Sequence, residues 1–201
     1  MVLKVSGVSK WVLSRRRLIY GVGINDADYV TSPMIEGKQR VCPYYRKWLA
    51  MLQRGYCLKF KGKMPTYAGC SVDSSWLLFS NFKKWMQSQD WRGKDLDKDL
   101  LVPGNKVYGP ETCVFLDRSI NNLLKPNAKG VSFDRFCGKF AANCYVNGQP
   151  RYLGVYDTEQ QARKVYVKFK AEVLMSASLK QNDPRIRKGL TNFAKLLLKE
   201  V

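Results

Sequence analysis

Histidine is absent from this chain of 201 residues. Its absence removes the side chain that most often serves as a general base or a metal ligand. No pair of the six cysteines has the CxxC spacing that is typical of a structural zinc site. We expect the cysteines to be mostly small buried hydrophobic residues, with a zinc site of scattered thiols as the alternative: Cys42, Cys57, Cys70, Cys113, Cys137 and Cys144.

Long apolar runs are missing too. No stretch approaches the roughly 20 residues of a membrane-spanning helix. Arg15, Arg16 and Arg17 follow the mildly apolar start, whereas a secretory signal has its charges first. We therefore expect a cytoplasmic protein without membrane contact. The hydrophobic fraction of 45% allows packed cores, and the length favours two small domains over one large one.

Acidic residues are scarce, with 16 Asp and Glu against 35 Lys and Arg and a net charge of +19. Such an excess suits a polyanionic partner, because neutralised phosphates release their counterions. Net charge is +9 over residues 1–80 and +8 over residues 127–201, but only +2 over residues 81–126. This pattern indicates two nucleic-acid-binding parts around a metal-binding centre; a merely basic surface is the alternative.

Apolar spacing predicts two helices in the first half, over residues 44–56 and 76–87, with a lysine-rich loop over residues 57–70 between them. Strands are predicted over residues 96–101 and 112–116, and a short helix near residues 117–124. Residues 126–130 are predicted as a linker. The buried stripes are expected to be Tyr45, Trp48, Leu49 and Leu52 in the first helix, and Trp76, Phe79, Phe82 and Met86 in the second.

The last third predicts three strands, over residues 131–136, 139–146 and 151–155, followed by a helix. Asn147-Gly148 is a strong hairpin signal, and Thr158 with Gln161 forms a capping box that opens the helix. Alternation places Phe140, Ala142, Cys144 and Val146 on one face of the middle strand, and Lys139, Ala141, Asn143 and Tyr145 on the other. A final amphipathic helix near residues 186–199 either docks onto the body or lies along DNA.

The segments that carry a family resemblance are Gly130-Val131, Gly138 to Ala142, Tyr152 to Gly154 and Tyr156 to Thr158, followed by Ala162 and Tyr166. Together, over about 45 residues, they resemble an AP2 domain, a family that lays a three-stranded sheet in the major groove of DNA. The resemblance implies DNA contacts from Ser132, Asn143, Tyr145 and Tyr152, with added contacts from Arg135, Lys139 and Arg151. Ser132, Asp134 and Tyr145 replace arginines of the plant pattern, so base specificity does not carry over.

A second resemblance rests on Cys42 to Trp48, Pro65 to Val72, Leu96 to Asp99, Gly104 to Tyr108 and Pro110 to Phe115. These segments resemble phage and prophage HNH-type (His-Me finger) endonucleases that carry a C-terminal AP2 domain. Such nucleases hold one divalent metal ion in a ββα unit. The resemblance therefore implies a phage-encoded protein acting in the cytoplasm of a bacterial host cell.

The resemblance also implies roles for individual residues. Asp97 matches the metal-binding carboxylate on the strand, and Asn122, or Asn121, matches the metal ligand on the helix. Asn105 matches the orienting residue of the loop. Lys98 stands where the general-base His is expected, and as a cation it could stabilise the scissile phosphate. Asp99 would be a second metal ligand or a base; an ordinary polar strand face is the alternative for both carboxylates.

Together these observations predict an α+β protein: a basic extension (residues 1–20), a helical part with a ββα-metal-like unit (21–126), an AP2-like sheet packed on one helix (130–175) and a C-terminal helix (176–201). The expected function is metal-dependent cleavage or nicking of double-stranded DNA with Mg²⁺ or Mn²⁺. The alternative is a degenerate HNH-like protein without cofactor that binds nucleic acid, or that inhibits another DNA-acting protein in a protein–DNA complex. The missing histidine favours the alternative, and the clustered carboxylates favour the enzyme.

Overall fold

The computed structural model describes residues 16–125 and 130–199. These residues form mixed α+β structure that divides into two compact units. The first unit holds the chain up to Trp91 together with Val102–Cys113, and the second holds Arg92–Leu101 together with the chain from Val114 onward. Most of the predicted basic extension, and residues 126–129 of the predicted linker, lie outside the described residues. No helix in the described part is long and apolar enough to cross a membrane.

The first unit contains three α-helices, two 3-10 helices and two small strand pairs among its described residues. The helices are α1 (Pro43–Tyr56), α2 (Leu58–Lys63) and α3 (Phe79–Gln87), with 3-10 helices at Pro65–Tyr67 and Ser74–Leu77. Strand β1 (Met34–Ile35) pairs antiparallel with β2 (Lys38–Gln39). Strand β3 (Ser71–Val72) pairs in parallel with β5 (Val107–Tyr108).

Helices α1 and α3 form the aromatic core of this unit. The predicted stripe of the second helix is confirmed, because Trp76, Phe79, Phe82 and Met86 are all buried. In α1 the core residues are Tyr45, Trp48, Met51 and Leu52, so Met51 takes the place predicted for Leu49, which is half-buried. The Trp48 indole donates a hydrogen bond of 2.7 Å to the Trp76 carbonyl, which satisfies a buried polar group.

Two sequence predictions for the first unit are wrong. Residues 57–70 are not a loop, because α2 and a 3-10 helix lie within them. Helix α2 has only six residues and none of them is buried. Its sequence therefore shows no apolar periodicity from which a helix could be predicted. The second predicted helix begins at Phe79 rather than at residue 76, because Leu78 has extended backbone angles between the 3-10 helix and α3.

The second unit begins with an antiparallel strand pair and a short helix. Strand β4 (Lys94–Asp97) pairs with β6 (Val114–Asp117), and α4 (Arg118–Leu123) follows β6 directly. The strand predicted over residues 96–101 is therefore wrong in extent, since it ends at Asp97. The Asp97 side chain accepts hydrogen bonds from the backbone N–H groups of Asp99 and Leu100, which turns the chain away from the sheet.

A three-stranded antiparallel sheet and two long helices complete the second unit. The strands β7 (Val131–Asp134), β8 (Lys139–Val146) and β9 (Gln149–Tyr156) lie in the order β7-β8-β9. They are followed by α5 (Glu159–Leu179) and α6 (Pro184–Leu198). Both predicted local signals are confirmed: Asn147 and Gly148 have positive φ angles, and Thr158 and Gln161 form both hydrogen bonds of the capping box.

One hydrophobic cluster joins these elements. Ala142 and Cys144 of β8 share it with Tyr166 and Leu174 of α5 and with Leu190 of α6. The cluster also includes apolar residues of the β4–β6–α4 segment: Leu100, Val114, Leu116, Ile120 and Leu123. The carboxylate-rich segment and the three-stranded sheet are therefore supported by the same core.

Candidate nucleic-acid interface

The three-stranded sheet has one face covered by α5 and one face left open. Helix α5 packs on the face that carries Ala142 and Cys144, which are buried. Alternation along β8 therefore directs Asn143 and Tyr145 to the other side. We call this open side the outer face; it consists of Ser132, Ala141, Asn143, Tyr145, Pro150, Tyr152 and Val155.

A β-bulge determines which residues of β9 belong to the outer face. Ala142 pairs with Gly154, but the next residue, Asn143, pairs with Tyr152, so Leu153 is the extra residue on β9. Gly154 has a φ angle of +117°, which a residue with a side chain rarely adopts. Without the bulge Tyr152 would lie on the side of α5. The bulge therefore places Tyr152 directly opposite Asn143 on the outer face.

The outer face offers groups suited to a groove. The side chains of Tyr145 and Tyr152 are 67% and 66% exposed, and Asn143 lies beside them in the register. A side-chain amide can hydrogen-bond two edge atoms of adenine, and a tyrosine hydroxyl can donate to a phosphate or a base. These groups are carried by paired strands rather than by a loop, so their spacing is fixed before any ligand binds.

The three basic residues predicted to add contacts lie in different places. Arg135 is exposed in the turn between β7 and β8. Lys139 forms an ion pair of 2.8 Å with Asp157, whose hydrogen bond and negative charge raise the pKa of Lys139. Arg151 pairs with Cys144 in the register, so it lies on the α5 side of β9 and not on the outer face. By alternation Lys139 lies on the same side of β8 as Asn143, and Arg135 lies in the turn that precedes β8.

Phe136 is predicted to end a strand, but it lies in the turn after β7 and is fully exposed. The Phe136 N–H donates to the Asp134 side chain at 2.9 Å, and the Gly138 N–H donates to the Asp134 carbonyl at 2.9 Å. Asp134 therefore closes the turn early, which shortens the predicted strand and directs the Phe136 ring into solvent.

The predicted catalytic carboxylates lie at the end of β4. Asp97 is half-buried, and its partial desolvation raises the pKa of its carboxyl group. Its Oδ1 accepts the N–H groups of Asp99 at 2.9 Å and Leu100 at 2.7 Å. Lys98 is only 5% exposed, and its Nζ lies 2.6 Å from Oδ1 of the exposed Asp99. Asp97 thus has a structural role in this turn.

The three asparagines with implied roles belong to different units. Asn105 belongs to the first unit, where its side chain bonds to both backbone groups of Val107, at 2.6 and 3.0 Å. Asn122 is exposed on α4, in the same unit as Asp97, and Asn121 is half-buried beside it.

Two of the side chains that the resemblance implies as metal ligands, Asp97 and Asp99, already have partners within the protein. One oxygen of Asp97 is already used by two N–H groups, and Asp99 is paired with Lys98. Across residues 16–125 and 130–199, no three side chains among His, Cys, Asp and Glu are grouped to hold a metal. Of the six free cysteines, Cys70, Cys113 and Cys144 are buried, Cys42 and Cys57 are half-buried and Cys137 is exposed.

Comparison with known proteins identifies no relative. No family model, no curated protein and no solved structure matches this chain.

Proposed function

We propose that this chain binds double-stranded DNA and that the outer face of the three-stranded sheet lies in the major groove. The observation that carries the proposal is the alignment of Ser132, Asn143, Tyr145 and Tyr152 on one open face. The packing of the sheet on α5 supports an AP2-like arrangement, and the net charge of +19 supplies attraction to phosphates.

In this proposal the outer face and the basic residues have different tasks. Asn143, with Tyr152 opposite it, reads base edges because these two side chains lie at the centre of the face. Arg135 and Lys139 contact phosphates and set the orientation, without reading sequence. For Lys139 this requires exchange of its Asp157 partner for a phosphate, which is inexpensive because both side chains are exposed.

A preferred site selected from random duplexes provides the test. We expect Asn143→Ala combined with Tyr152→Ala to lower affinity for the selected site about tenfold or more, because a good bidentate base contact is worth roughly 1–3 kcal/mol. Affinity for random duplexes should change much less. Gln160→Ala is the matched control, since this exposed amide lies in the first turn of α5, away from the outer face. Equal losses on both kinds of DNA would contradict readout by the sheet.

A second candidate function is metal-dependent cleavage or nicking of DNA. The observation that favours it is the order of the second unit's first elements, an antiparallel strand pair followed directly by a helix, with the half-buried Asp97 at the end of β4. In this proposal the ββα-metal-like unit binds Mg²⁺ or Mn²⁺ through Asp97 and Asn122, while Lys98 and Asp99 assist. The alternative is a protein without cofactor that occupies DNA or inhibits another DNA-acting protein, which the engaged Asp97 oxygen favours.

A plasmid-nicking assay with Mg²⁺ or Mn²⁺ distinguishes the metal-dependent nuclease from the protein without cofactor. Asp97→Asn is the informative variant, because its Oδ1 can keep accepting the N–H groups of Asp99 and Leu100 while the negative charge is removed. A cleaving enzyme nicks in a metal-dependent manner, and the folded Asn variant does not. Tight, salt-sensitive binding without nicking under either metal would leave the non-enzymatic role.

A further inference from the structure

The last helix, α6, has two contrasting sides. Its apolar side, with Ile186, Leu190, Ala194 and Leu197, is buried and packs against α5. The sequence left open whether this helix docks onto the body or lies along DNA. Docking uses only the apolar side, so the opposite side stays available for a partner.

The opposite side carries a line of lysines. Lys188, Asn192, Lys195 and Lys199 follow one another at intervals of four, three and four residues, which places them on one side of the helix, and all four are exposed. We call them the lysine stripe. The stripe extends about 16 Å along the helix axis at roughly 1.5 Å per residue. That length corresponds to about five base pairs of DNA at roughly 3.4 Å each.

The lysines of the stripe have no carboxylate partner among the described residues. Helix α6 itself contains no Asp or Glu, and neither Glu159 nor Glu172 of α5 forms an ion pair with them. The other basic residues of α6 are used locally. Arg185 pairs with Asp183 at 2.8 Å, and Arg187 donates to the Gln181 carbonyl at 2.9 Å.

The helix dipole explains only part of the stripe. Cations are favourable in the last turn, where Lys195 and Lys199 lie. Lys188 lies in the second turn, where the dipole gives a lysine no advantage. An extended anion that contacts the whole stripe accounts for all three lysines, and the repeated phosphates of a duplex have that form.

The stripe and the outer face lie on different sides of the sheet. The outer face is directed away from α5, whereas α6 packs against α5. A straight duplex that lies on the outer face therefore does not reach α6. We propose that the lysine stripe binds the phosphate backbone of a second DNA segment, so that one chain bridges two duplexes. This inference rests on the proposed function for its first contact.

Bridging can be measured with the full chain, one duplex fixed on beads and a second, fluorescent duplex of the same sequence. Wild-type protein should retain the fluorescent duplex. The triple variant Lys188→Gln, Lys195→Gln, Lys199→Gln should still bind the fixed duplex with its site preference but lose the second one. For wild type, the salt dependence of retaining the second duplex should include a slope of about 2–3 in log affinity against log salt, at roughly 0.9 for each phosphate contact of the three lysines.

The charge-matched triple variant with arginine at the same positions should bridge as wild type does, and thermal unfolding of both variants verifies the fold. Undiminished bridging by the glutamine variant would overturn the inference. That result is also expected if two copies of the chain bridge the duplexes through their outer faces. Retention of duplex RNA but not DNA as the second duplex would also overturn it. If wild type binds one duplex site-selectively but does not bridge two, only this inference is contradicted. If wild type binds no DNA at all, the proposed function is contradicted as well.

Discussion

Replacing Asp97 separates its structural role from any chemical role. Asp97→Ala removes the acceptor of two backbone N–H groups, whereas Asp97→Asn keeps an acceptor at the same atom. The Asp99 N–H is exposed and can bond to water instead, but the Leu100 N–H is partly buried. Leaving a buried donor unsatisfied costs roughly 1–3 kcal/mol. We therefore expect the Ala variant to be less stable than the Asn variant by about 1–2 kcal/mol.

The pKa of Asp97 adds a pH dependence to this comparison. Burial raises this pKa in the folded state above its unfolded value, so the folded protein favours the neutral form. The contribution of the Asp97 carboxyl group to the free energy of unfolding is therefore fully present below its pKa in the unfolded state. This contribution is lost as pH rises through its pKa in the folded state, because the unfolded protein ionises first. Asn is neutral throughout. The unfolding temperature of Asp97→Asn, measured relative to that of wild type, should therefore increase as pH rises from about 4 to 7.

Thermal unfolding of wild type and both variants at several pH values is the assay. The difference between the Ala and Asn variants corresponds to roughly 2–8 °C for a protein of this size. Equal stabilities of the two variants would refute the structural role of the Asp97 side chain in the turn. An advantage of wild type over Asp97→Asn that grows with pH would refute burial as the dominant effect on this carboxyl group.

Two further stability predictions come from local geometry in the second unit. Gly130→Ala should destabilise by more than about 1 kcal/mol, because φ is +64° and the new Cβ would overlap the Tyr166 ring. Gly138→Ala, with φ +68° and open space around the new Cβ, should cost clearly less in the same urea titration. Thr158→Ala should cost about 1 kcal/mol through loss of the capping bond to Gln161, and Thr158→Ser, which keeps the hydroxyl, should restore most of it; equal losses would contradict the capping role.

Features determined by neighbouring residues could be predicted from the sequence. The buried stripe of α3, the extent of β8, the turn at Asn147-Gly148 and the capping box at Thr158 each depend on a few adjacent side chains. Helix α2 escaped prediction because it buries no residue and so leaves no apolar pattern. The early ends of β4 and β7 escaped because one side chain in each case, Asp97 or Asp134, bonds the following backbone.

Features determined by distant pairing could not be predicted. Alternation assigned the faces of β8, but the face of each β9 residue depends on the bulge at Leu153. That bulge places Tyr152 on the outer face and leaves Arg151 on the α5 side. Gly154, with its positive φ, was the one local signal of the irregularity. The pairing of β4 with β6 likewise joins segments separated by a long connection, which no local pattern specifies.

The central claim is that the outer face of the three-stranded sheet contacts DNA. Backbone ¹H–¹⁵N spectra of the full chain, recorded while a selected duplex is added, test this most directly. We expect the largest shifts at Ser132, Asn143, Tyr145 and Tyr152, with Ala142 and Cys144 on the covered face affected much less. Binding that leaves the four outer-face residues unshifted would contradict the account.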